Sequence, residues 1–542
     1  MTGKELVLHA LKREKTDRIP WVPFVGSHAA ALLGISASEY LKSADHIVNG
    51  VQMAIERYAA DGIPVLFDLQ LEAETLGCDL NWADDNPPSV SAHPLLTGVE
   101  LDDLKIPGPE DGRIGLTLDA TRRLREANPD TALYGLITGP FTLGLHLQGA
   151  DIFMRMFDNP EYVHKVLDFG RQVATRMSDY FIDAGCDVVA LVDPMTSQIG
   201  PAQFYEFVTP HMAPVFEHIR SRGSLSSFFV CGHAEQNLGP MCECGPDNVS
   251  VDENIPLEAI RTVCEEHETS FGGNLQLTST LLLGSVEENE RHALDCMKMG
   301  SEQGFILSPG CDLPYATPPE NLEAIGKLIR DEYRQEAVRT LTTVEKSDDL
   351  LDLSDYGAAD KVVVDVITLD SEACTPCQYM VEAVRKVIPQ FEGIVVWREH
   401  KIKNPKSILF MSSLLVKNIP TICIDGVIKF VSKIPREDEL IEAIERRILE
   451  KMRTRIHQRK GLVYVLGAEN EATEECVQSV NLAVTELGVD IELIRVSEQS
   501  KIEEFGVRMG QTPAIVTAKY EVKSTREAPE PAVMKEWIKA LL

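Results

Sequence analysis

The chain has 542 residues, of which 44% are hydrophobic and 25% charged, so it is long enough for several domains with apolar cores. Its net charge of −32 argues against nucleic-acid backbones and anionic lipid surfaces as partners. The sequence has no apolar run of membrane-spanning length and no signal-peptide pattern at its N-terminus, so we expect a cytoplasmic protein without membrane contact. Twelve cysteines in such a chain favour metal binding or catalytic thiols over disulfides.

Short apolar strands alternate with amphipathic helices through residues 1–340. One long helix spans the stretch from Asn159 and ends at Gly185, a typical helix terminator. Repeated strand–helix units over this length predict an α/β fold of the (β/α)8 TIM-barrel type. The predicted strands are GIPVLFDL from 62, TALYGLITGP from 131, CDVVALVDP from 186, LSSFFVCG from 225, NVSVDE from 248, TSFGGN from 269 and GFILSPGC from 304.

Polar or thiol side chains follow these strands. In a barrel of this type the carboxyl ends of the strands converge on one mouth, where the chemistry takes place. We therefore expect an active site formed by the residues at the strand ends, which are Asp68, Asp193, Cys231, Asp252, Asn274 and Cys311.

The second half of the chain begins after a polar, acidic stretch, VEKSDDLLDLSDYG, which predicts a linker over residues 341–357. Most of the negative excess lies before it, in residues 1–340. Beyond it the pattern of a strand, a helix and a proline turn occurs twice, starting at KVVVDVITL and GLVYVLG. This weak repeat predicts two small α/β domains, over residues 358–458 and 459–542.

Several segments of residues 1–340 resemble the uroporphyrinogen decarboxylase superfamily: DRIPWVPF, FDLQLEAETLGCDL, ITGPFTLGLHLQG, DVVALVDPMTS and FILSPGCDLPYATPPENL. Within it the chain is more similar to the methylcobalamin:coenzyme M methyltransferase branch than to the decarboxylases. That resemblance implies transfer of a methyl group to a small-molecule thiol, with a corrinoid (methylcobalamin) carried by a partner protein.

The decarboxylase and methyltransferase branches differ in the residues that they place at the barrel mouth, so the sequence can be compared with each. The decarboxylases hold porphyrinogen carboxylates with an arginine-rich N-terminal segment, whereas TDRIPWVPFVGSHAAALLG contains one arginine. The family aspartate has a counterpart in Asp68, but His146 stands in place of its tyrosine partner and Cys311 in place of its C-terminal histidine. Porphyrinogen decarboxylation is therefore disfavoured. In the methyltransferase interpretation, Asp68 and His146 are the expected catalytic residues of the barrel, and Glu72, Asp193, Asp252 and Asn274 the expected substrate-binding residues.

The methyltransferase branch uses zinc, bound by His-x-Cys on one strand and a distant cysteine, to lower the pKa of the substrate thiol. Cys231 and Cys311 match the two cysteines, whereas Phe229 stands in place of the histidine. His233, at the reversed Cys-x-His spacing, is the expected substitute, and the oxygen donors Glu72, Asp252 and Glu253 are alternatives. A cysteine at a strand end is also often a small buried apolar residue, so that interpretation stays open.

Cys374-Thr375-Pro376-Cys377 lies between a predicted strand and the start of a helix, where free backbone N–H groups stabilise a thiolate. With Ile419-Pro420 before the next strand, the segment resembles thioredoxin and glutaredoxin domains. This implies that Cys374 attacks, that Cys377 resolves, that Pro420 is cis and lies against the dithiol, and that a thioredoxin-reductase-type protein supplies electrons.

Residues 459–542 resemble a second thioredoxin-like domain without a CxxC motif. Only Cys476 remains, further into the helix, so we expect a structural, docking or dimerisation module.

The leading hypothesis is therefore a corrinoid-linked methyltransferase with a zinc-activated thiol and a fused dithiol module. In the alternative, the barrel is a degenerate binding module and the thioredoxin-like domain is the active thiol-disulfide part. A weaker alternative, decarboxylation of a smaller acid, rests on Asp68.

Overall fold

The computed structural model describes most of the chain. No helix in this part is long and apolar enough to cross a membrane. The predicted linker at 341–357 lies outside it except for residue 356. The described residues are 1–300, 303–340, 356, 361–372, 374–403, 407, 410, 411, 414, 416, 418–460, 462–503, 505–517 and 522–541.

Residues 1–340 are built around a curled sheet of seven parallel strands among the described residues, in the order β1-β4-β5-β6-β7-β8-β9. Each of the seven strands lies within a segment that the sequence predicted as a strand, except that β8 extends one residue beyond it, to Leu275. A separate hairpin, β2–β3, follows β1. The strands are β1 Gly62–Pro64, β2 Asp79–Asn81, β3 Ser89–Ala92, β4 Ala132–Thr138, β5 Val188–Val192, β6 Leu225–Val230, β7 Asn248–Val251, β8 Ser270–Leu275 and β9 Phe305–Pro309.

The segment around Trp21 joins the two edges of this sheet. On one side Val22 N donates to Leu307 O of β9 at 3.0 Å, and Leu307 N donates to Pro20 O at 3.0 Å. On the other side Asp61 N, just before β1, donates to Trp21 O at 2.9 Å. The strands thus surround an interior filled by side chains, consistent with the predicted TIM-type barrel.

Helices pack around the barrel strands. The helix Pro160–Ala184 ends where the sequence predicted, at Gly185, whose φ of 108° is readily adopted only by a residue without a Cβ. The other α-helices are Gly3–Leu11, His28–Leu33, Ala37–Tyr40, Ala44–Tyr58, Leu71–Thr75, Ile114–Ala127, Pro140–Gln148, Asp151–Asp158, Pro201–Gln203, Thr209–Ser221, Leu238–Glu243, Leu257–Glu266, Val286–Met299, Pro319–Leu328 and Glu332–Thr340. Short 3-10 or π turns are Pro94–Leu96, Leu101–Asp103, Pro194–Gln198, Phe204–Val208, Glu235–Asn237 and Leu277–Leu282.

The segment with the CxxC motif forms a second sheet in the order β11-β10-β12-β13. β10 is antiparallel to β12, and β12 to β13. The Ile419–Pro420 peptide bond before β12 is cis, as the resemblance implied. The elements are β10 Val362–Thr368, β11 Val395–Lys401, β12 Thr421–Ile424 and β13 Val427–Val431, with helices Thr375–Val387 and Glu437–Lys460 and the 3-10 turn Ile388–Phe391.

The C-terminal segment has a third sheet in the order β15-β14-β16-β17. Its helix Glu471–Leu487 buries Cys476 in an apolar cluster with Val463 and Ile515, and this burial raises the pKa of the Cys476 thiol. The other elements are β14 Leu462–Leu466, β15 Glu492–Val496, β16 Ala514–Thr517, β17 Val522–Thr525, the helices Gln499–Glu503 and Pro531–Lys539 and the 3-10 turn Met509–Gln511.

Tertiary contacts divide the chain into two compact units. The first unit contains the barrel together with Val363–Glu392 and Trp397–Glu437, so most of the CxxC segment belongs to it. The second unit contains Ser354–Val362, Gly393–Val396 and Asp438–Leu542.

Candidate functional site

A cavity of about 280 Å³ lies at the carboxyl ends of the barrel strands. Loops after β6, β7, β8 and β9 line it on the barrel side. Residues of the CxxC segment, including all four of Cys374–Cys377, line it as well. The predicted site residues that face this cavity are Cys231, Asp252, Cys311, Cys374, Cys377 and Pro420.

Cys231 and Cys311 form a pair of contacting thiols at the barrel mouth. Their Sγ atoms are 2.7 Å apart, although the residues follow strands that are not neighbours in the sheet. The contact with Cys311 and burial together raise the pKa of Cys231 well above its usual value. Both are free thiols and are only partly buried, which leaves them open to the cavity.

An aromatic cluster fills the barrel interior beneath this pair. Phe229 is 1% exposed, and its ring centroid lies 5.0 Å from that of Phe24 and 6.0 Å from that of Phe67. The cysteine pair packs against the same cluster. The position that carries the zinc-binding histidine in the methyltransferase resemblance therefore contributes an apolar contact.

The donor set around the cysteine pair does not fit the expected zinc site. A catalytic zinc needs three protein ligands. Within the described residues, however, no group of three His, Cys, Asp or Glu side chains is arranged to hold a metal ion. His233 is half-buried, does not line the cavity, and its buried Nδ1 has no hydrogen-bond partner in the described structure.

Two adjacent carboxyl groups, Asp252 and Glu253, lie at the cavity after β7. Asp252 Oδ2 accepts from Gly232 N at 2.6 Å, and Glu253 Oε1 accepts from Leu277 N at 3.0 Å. Burial raises the pKa of Asp252 to about 6, and burial together with the Asp252 charge raises that of Glu253 to about 8. Glu253 Oε2 is buried against Gly310 and has no hydrogen-bond partner among the described residues.

Asn274 holds this acidic loop in place from β8. Its Nδ2 donates to Asp252 O at 3.1 Å and to Ile255 O at 2.7 Å. Because it does not line the cavity, its observed role is to position the loop rather than to contact a ligand.

Three further charged residues at the cavity, Asp312, Asp370 and Lys403, were missed from the sequence. Asp312 lies against the backbone of Gly26 and Ser27, and burial raises the pKa of its carboxyl well above the usual range. Its position directly after Cys311 could have identified Asp312 as a cavity residue from the sequence. Asp370 and Lys403 had no such signal, because both belong to a segment that the sequence assigned to another domain.

Asp68 is held in an ion pair rather than directed into the cavity. Its Oδ2 accepts from Arg113 Nη1 at 2.5 Å, and Arg113 also pairs with Glu74 at 2.6 Å. Both partners of the Asp68–Arg113 pair are buried. Asp68 does not line the cavity.

Glu72 and Asp193 are buried carboxyls that connect neighbouring elements. Glu72 accepts from Thr138 Oγ1 at the end of β4, at 2.9 Å. Asp193 accepts from Thr142 N at 2.8 Å and from Thr142 Oγ1 at 2.6 Å, at the start of the helix Pro140–Gln148. Burial raises the pKa of each to about 7. Neither lines the cavity.

His146 lies inside the helix Pro140–Gln148, in which every residue is buried. Its Nδ1 has no hydrogen-bond partner among the described residues, and burial lowers its pKa to about 3. It does not line the cavity either, so the structure places it in the core behind the mouth.

The CxxC motif begins the helix Thr375–Val387, with Cys374 at the cap position. Cys374 is half-buried and Cys377 fully buried. Burial, together with the hydrogen bond between the two side chains, raises the pKa of Cys377 well above its usual value. Pro420 lines the cavity beside the motif.

Comparison with known proteins identifies the family of the barrel. A sequence model of the family described as "Uroporphyrinogen decarboxylase (URO-D)" matches residues 2–332. A methylcobamide:CoM methyltransferase MtbA of Methanosarcina acetivorans is 26% identical over 330 residues, which cover 59% of this chain and 96% of that protein. A uroporphyrinogen decarboxylase of Anaeromyxobacter sp. is 27% identical over 338 residues, 59% of this chain and 96% of that protein. The solved structure of a methyltransferase from Methanosarcina mazei has a TM-score of 0.57 at 24% identity, covers 61% of this chain and 98% of that chain, and shares the fold.

Proposed function

The chain belongs to the uroporphyrinogen decarboxylase family, and we propose that within it this protein is a corrinoid-linked methyltransferase that transfers a methyl group to a small thiol. Sequence relatives of both kinds, methyltransferase and decarboxylase, match the barrel at similar identity. The choice between them therefore depends on the chemistry of the cavity.

The observation that carries the proposal is the charge of the residues that line the cavity. Asp252, Glu253, Asp312 and Asp370 are acidic. Of the lining residues in the described chain, Lys403 alone is cationic, and it is paired with Asp370 at 2.7 Å and with Asp85 at 3.2 Å. A porphyrinogen with several carboxylates would have no counter-charges here, whereas a small thiol needs none.

The acidic lining also defines the acceptor. A thiol with a second negative group, such as a sulfonate, would meet the Asp252 carboxylate and find no unpaired cation among the described lining residues, and we infer that the acceptor is a neutral or cationic thiol. A methylated corrinoid on a partner protein supplies the methyl group when it is bound. Cys231 and Cys311 line the subsite of the acceptor sulfur, and Glu253 Oε2 takes the proton that the acceptor thiol loses. Zinc has no part in this proposal because the donor set lacks a third ligand.

The experiment is demethylation of free methylcobalamin by the full chain, followed by absorbance under anaerobic conditions. Three thiols that differ in charge serve as acceptors: 2-mercaptoethanol, cysteamine and 2-mercaptoethanesulfonate. We expect kcat/KM to be at least about tenfold higher for the first two. A preference for the sulfonate would contradict the assignment of the acceptor, and no transfer to any thiol would contradict the function. Metal analysis of the same protein tests the conclusion that no zinc is bound. One equivalent of zinc in the unsubstituted chain that is absent from Cys311→Ser would overturn it.

A second activity is supported by the arrangement of Cys374, Cys377 and Pro420. A half-buried cysteine at a helix start, a buried second cysteine and a cis-proline beside them suit a thioredoxin-like dithiol that receives electrons from a reductase-type partner. Reduction of insulin disulfides with dithiothreitol as the electron source tests this activity. It should be lost in Cys374→Ser and kept in Cys476→Ser. Loss of methyl transfer with retained insulin reduction would favour the barrel as a binding module.

A further inference from the structure

We propose that the Cys374–Cys377 dithiol reduces a disulfide between Cys231 and Cys311 by direct exchange within one molecule. The proposal rests on the dithiol activity of the CxxC motif suggested above, and it names the substrate of that activity. It does not depend on methyl transfer.

The first support is the geometry of the barrel pair. The two Sγ atoms are 2.7 Å apart, so a movement of less than about 1 Å brings them to disulfide bond length. Since the surrounding donors do not complete a zinc site, the contact between the two thiols is left without a metal-binding role. Two thiols in contact at a solvent-accessible mouth are the arrangement in which oxidation produces a disulfide.

The second support is that both cysteine pairs face the same cavity. Cys374 lies close enough for its charge to contribute to the raised pKa of Cys231, after the Cys311 contact, burial and the Asp252 charge. We take Cys231 as the sulfur that Cys374 attacks. None of the remaining eight cysteines lines the cavity.

The third support is that the CxxC segment is fixed over the mouth within the first compact unit. Tyr379, in the helix that carries the motif, belongs to the buried core of the barrel. Gln378 Nε2 donates to Val90 O at 2.6 Å. Farther along the segment, Gln198 of the barrel donates to Ser432 O at 2.9 Å and accepts from Ile434 N at 3.0 Å. These contacts attach the CxxC segment to the barrel that carries Cys231 and Cys311, so exchange between the two pairs needs no diffusional encounter.

The reaction balances within the chain. The Cys374 thiolate attacks Cys231 Sγ, the Cys231–Cys311 bond breaks, and Cys311 leaves as a thiolate and takes up a proton. Cys377 then loses its proton and attacks Cys374, which releases Cys231 as a thiol and leaves a Cys374–Cys377 disulfide. Two electrons and two protons have passed to the barrel pair. A small oxidant such as diamide forms the barrel disulfide, and an external dithiol reduces the CxxC disulfide again.

The test traps the mixed disulfide. In Cys377→Ser the second step is blocked, so oxidation of the full chain with diamide should leave a bond between Cys231 and Cys374, detected by mass spectrometry of a non-reduced digest. In the double variant Cys311→Ser with Cys377→Ser, both competing partners are absent and this bond should form in most molecules. Cys374→Ser should contain only the Cys231–Cys311 bond, and Cys476→Ser is the matched control, expected to behave as the unsubstituted chain does.

Absence of the Cys231–Cys374 bond in the double variant would overturn the proposal, as would its formation only between two molecules. A second measurement follows alkylation of Cys231 and Cys311 when the fully oxidised chain is treated with dithiothreitol. Their reduction should be at least about tenfold slower in Cys374→Ser, and equal rates would also overturn the proposal. Insulin reduction reports the CxxC motif alone. If the protein reduces insulin but gives neither the Cys231–Cys374 bond nor the slower reduction in Cys374→Ser, the internal exchange is refuted while the dithiol activity of the CxxC motif stands.

Discussion

Glu253 illustrates how burial converts an ordinary carboxyl into a group that titrates near neutral pH. Its pKa is raised to about 8 because burial penalises the charged form and the neighbouring Asp252 adds a second negative charge. The charged carboxylate is therefore formed only as the pH rises through this range. Oε1 accepts from Leu277 N, whereas Oε2 has no hydrogen-bond partner among the described residues and is the atom to which the proposal assigns the proton.

In Glu253→Gln we expect kcat for methyl transfer to fall about 100-fold at pH 8.5. The ratio of unsubstituted to variant kcat should increase from pH 6 to pH 9, because only the unsubstituted chain gains a base over this interval. The ratio cancels the effect of pH on the ionisation of the acceptor thiol, which is the same for both proteins. The control is Glu258→Gln, an exposed position on the following helix. A ratio that does not change with pH would contradict the role of Glu253.

His146 has the opposite response to burial, and its effect is on stability. An unfolded histidine binds a proton below its usual pKa of 6.5, whereas the folded chain keeps His146 neutral down to about pH 3. The unfolded state therefore binds more protons as the pH falls, and the folded state loses stability.

We expect His146→Leu to remove this loss. Between pH 7 and pH 5 the free energy of unfolding of the unsubstituted chain should fall by about 2 kcal/mol relative to the variant, at about 1.4 kcal/mol per pH unit below 6.5. Urea denaturation at several pH values measures the difference. The exposed His267, changed to Gln, serves as control, and parallel pH curves for the unsubstituted chain and His146→Leu would refute the argument.

The position of a residue at a strand end was predictable from the sequence, whereas the direction of its side chain was not. Asp68 and Asp193 both follow strands, as predicted. Each is nevertheless turned toward a partner distant in sequence, Arg113 or Thr142. Such pairings depend on packing between elements, which local patterns do not encode. Cys231 and Cys311 were found because thiols at two strand ends are chemically distinctive.

At the level of elements, periodicity was sufficient for the strands and the long helix but not for their association. The strand before the CxxC motif and the helix after it were both predicted. Gln378 and Tyr379 were not identified as contacts to the barrel, because one polar and one aromatic residue on a helix are equally suited to solvent or to a small local core. Docking is a property of two surfaces, and the sequence of one surface does not reveal it.

Gln198 is the barrel residue with which this docking is tested. Gln198→Ala removes one acceptor and one donor from the bonds to Ile434 N and Ser432 O. We expect amide hydrogen exchange at Ile434 to become about fivefold faster, which corresponds to the loss of about 1 kcal/mol of a hydrogen bond. Gln172→Ala is the control, because among the described residues that side chain bonds only to Asp168 of its own helix. Unchanged exchange at Ile434 would show that other contacts carry the docking.

For the molecule as a whole, the proposed methyl transfer and the proposed thiol exchange share one cavity. The proposed acceptor subsite and the proposed dithiol target contain the same two sulfurs, Cys231 and Cys311. A disulfide between them removes both thiols from the subsite, while Glu253 and the rest of the lining stay in place. We therefore expect the barrel to be inactive in methyl transfer until the CxxC motif has reduced this disulfide.

We therefore expect the oxidised full chain to lose at least 90% of its methyl transfer from methylcobalamin to 2-mercaptoethanol, a threshold of roughly one order of magnitude. The assay follows a brief diamide treatment and removal of the oxidant. Dithiothreitol at low concentration should restore activity quickly in the unsubstituted chain and in Cys476→Ser, because Cys374 is present in both. Recovery should be at least about tenfold slower in Cys374→Ser, where the external dithiol must enter the cavity itself. Equal recovery in all three proteins would show that the two halves of the first compact unit act independently, despite lining one cavity.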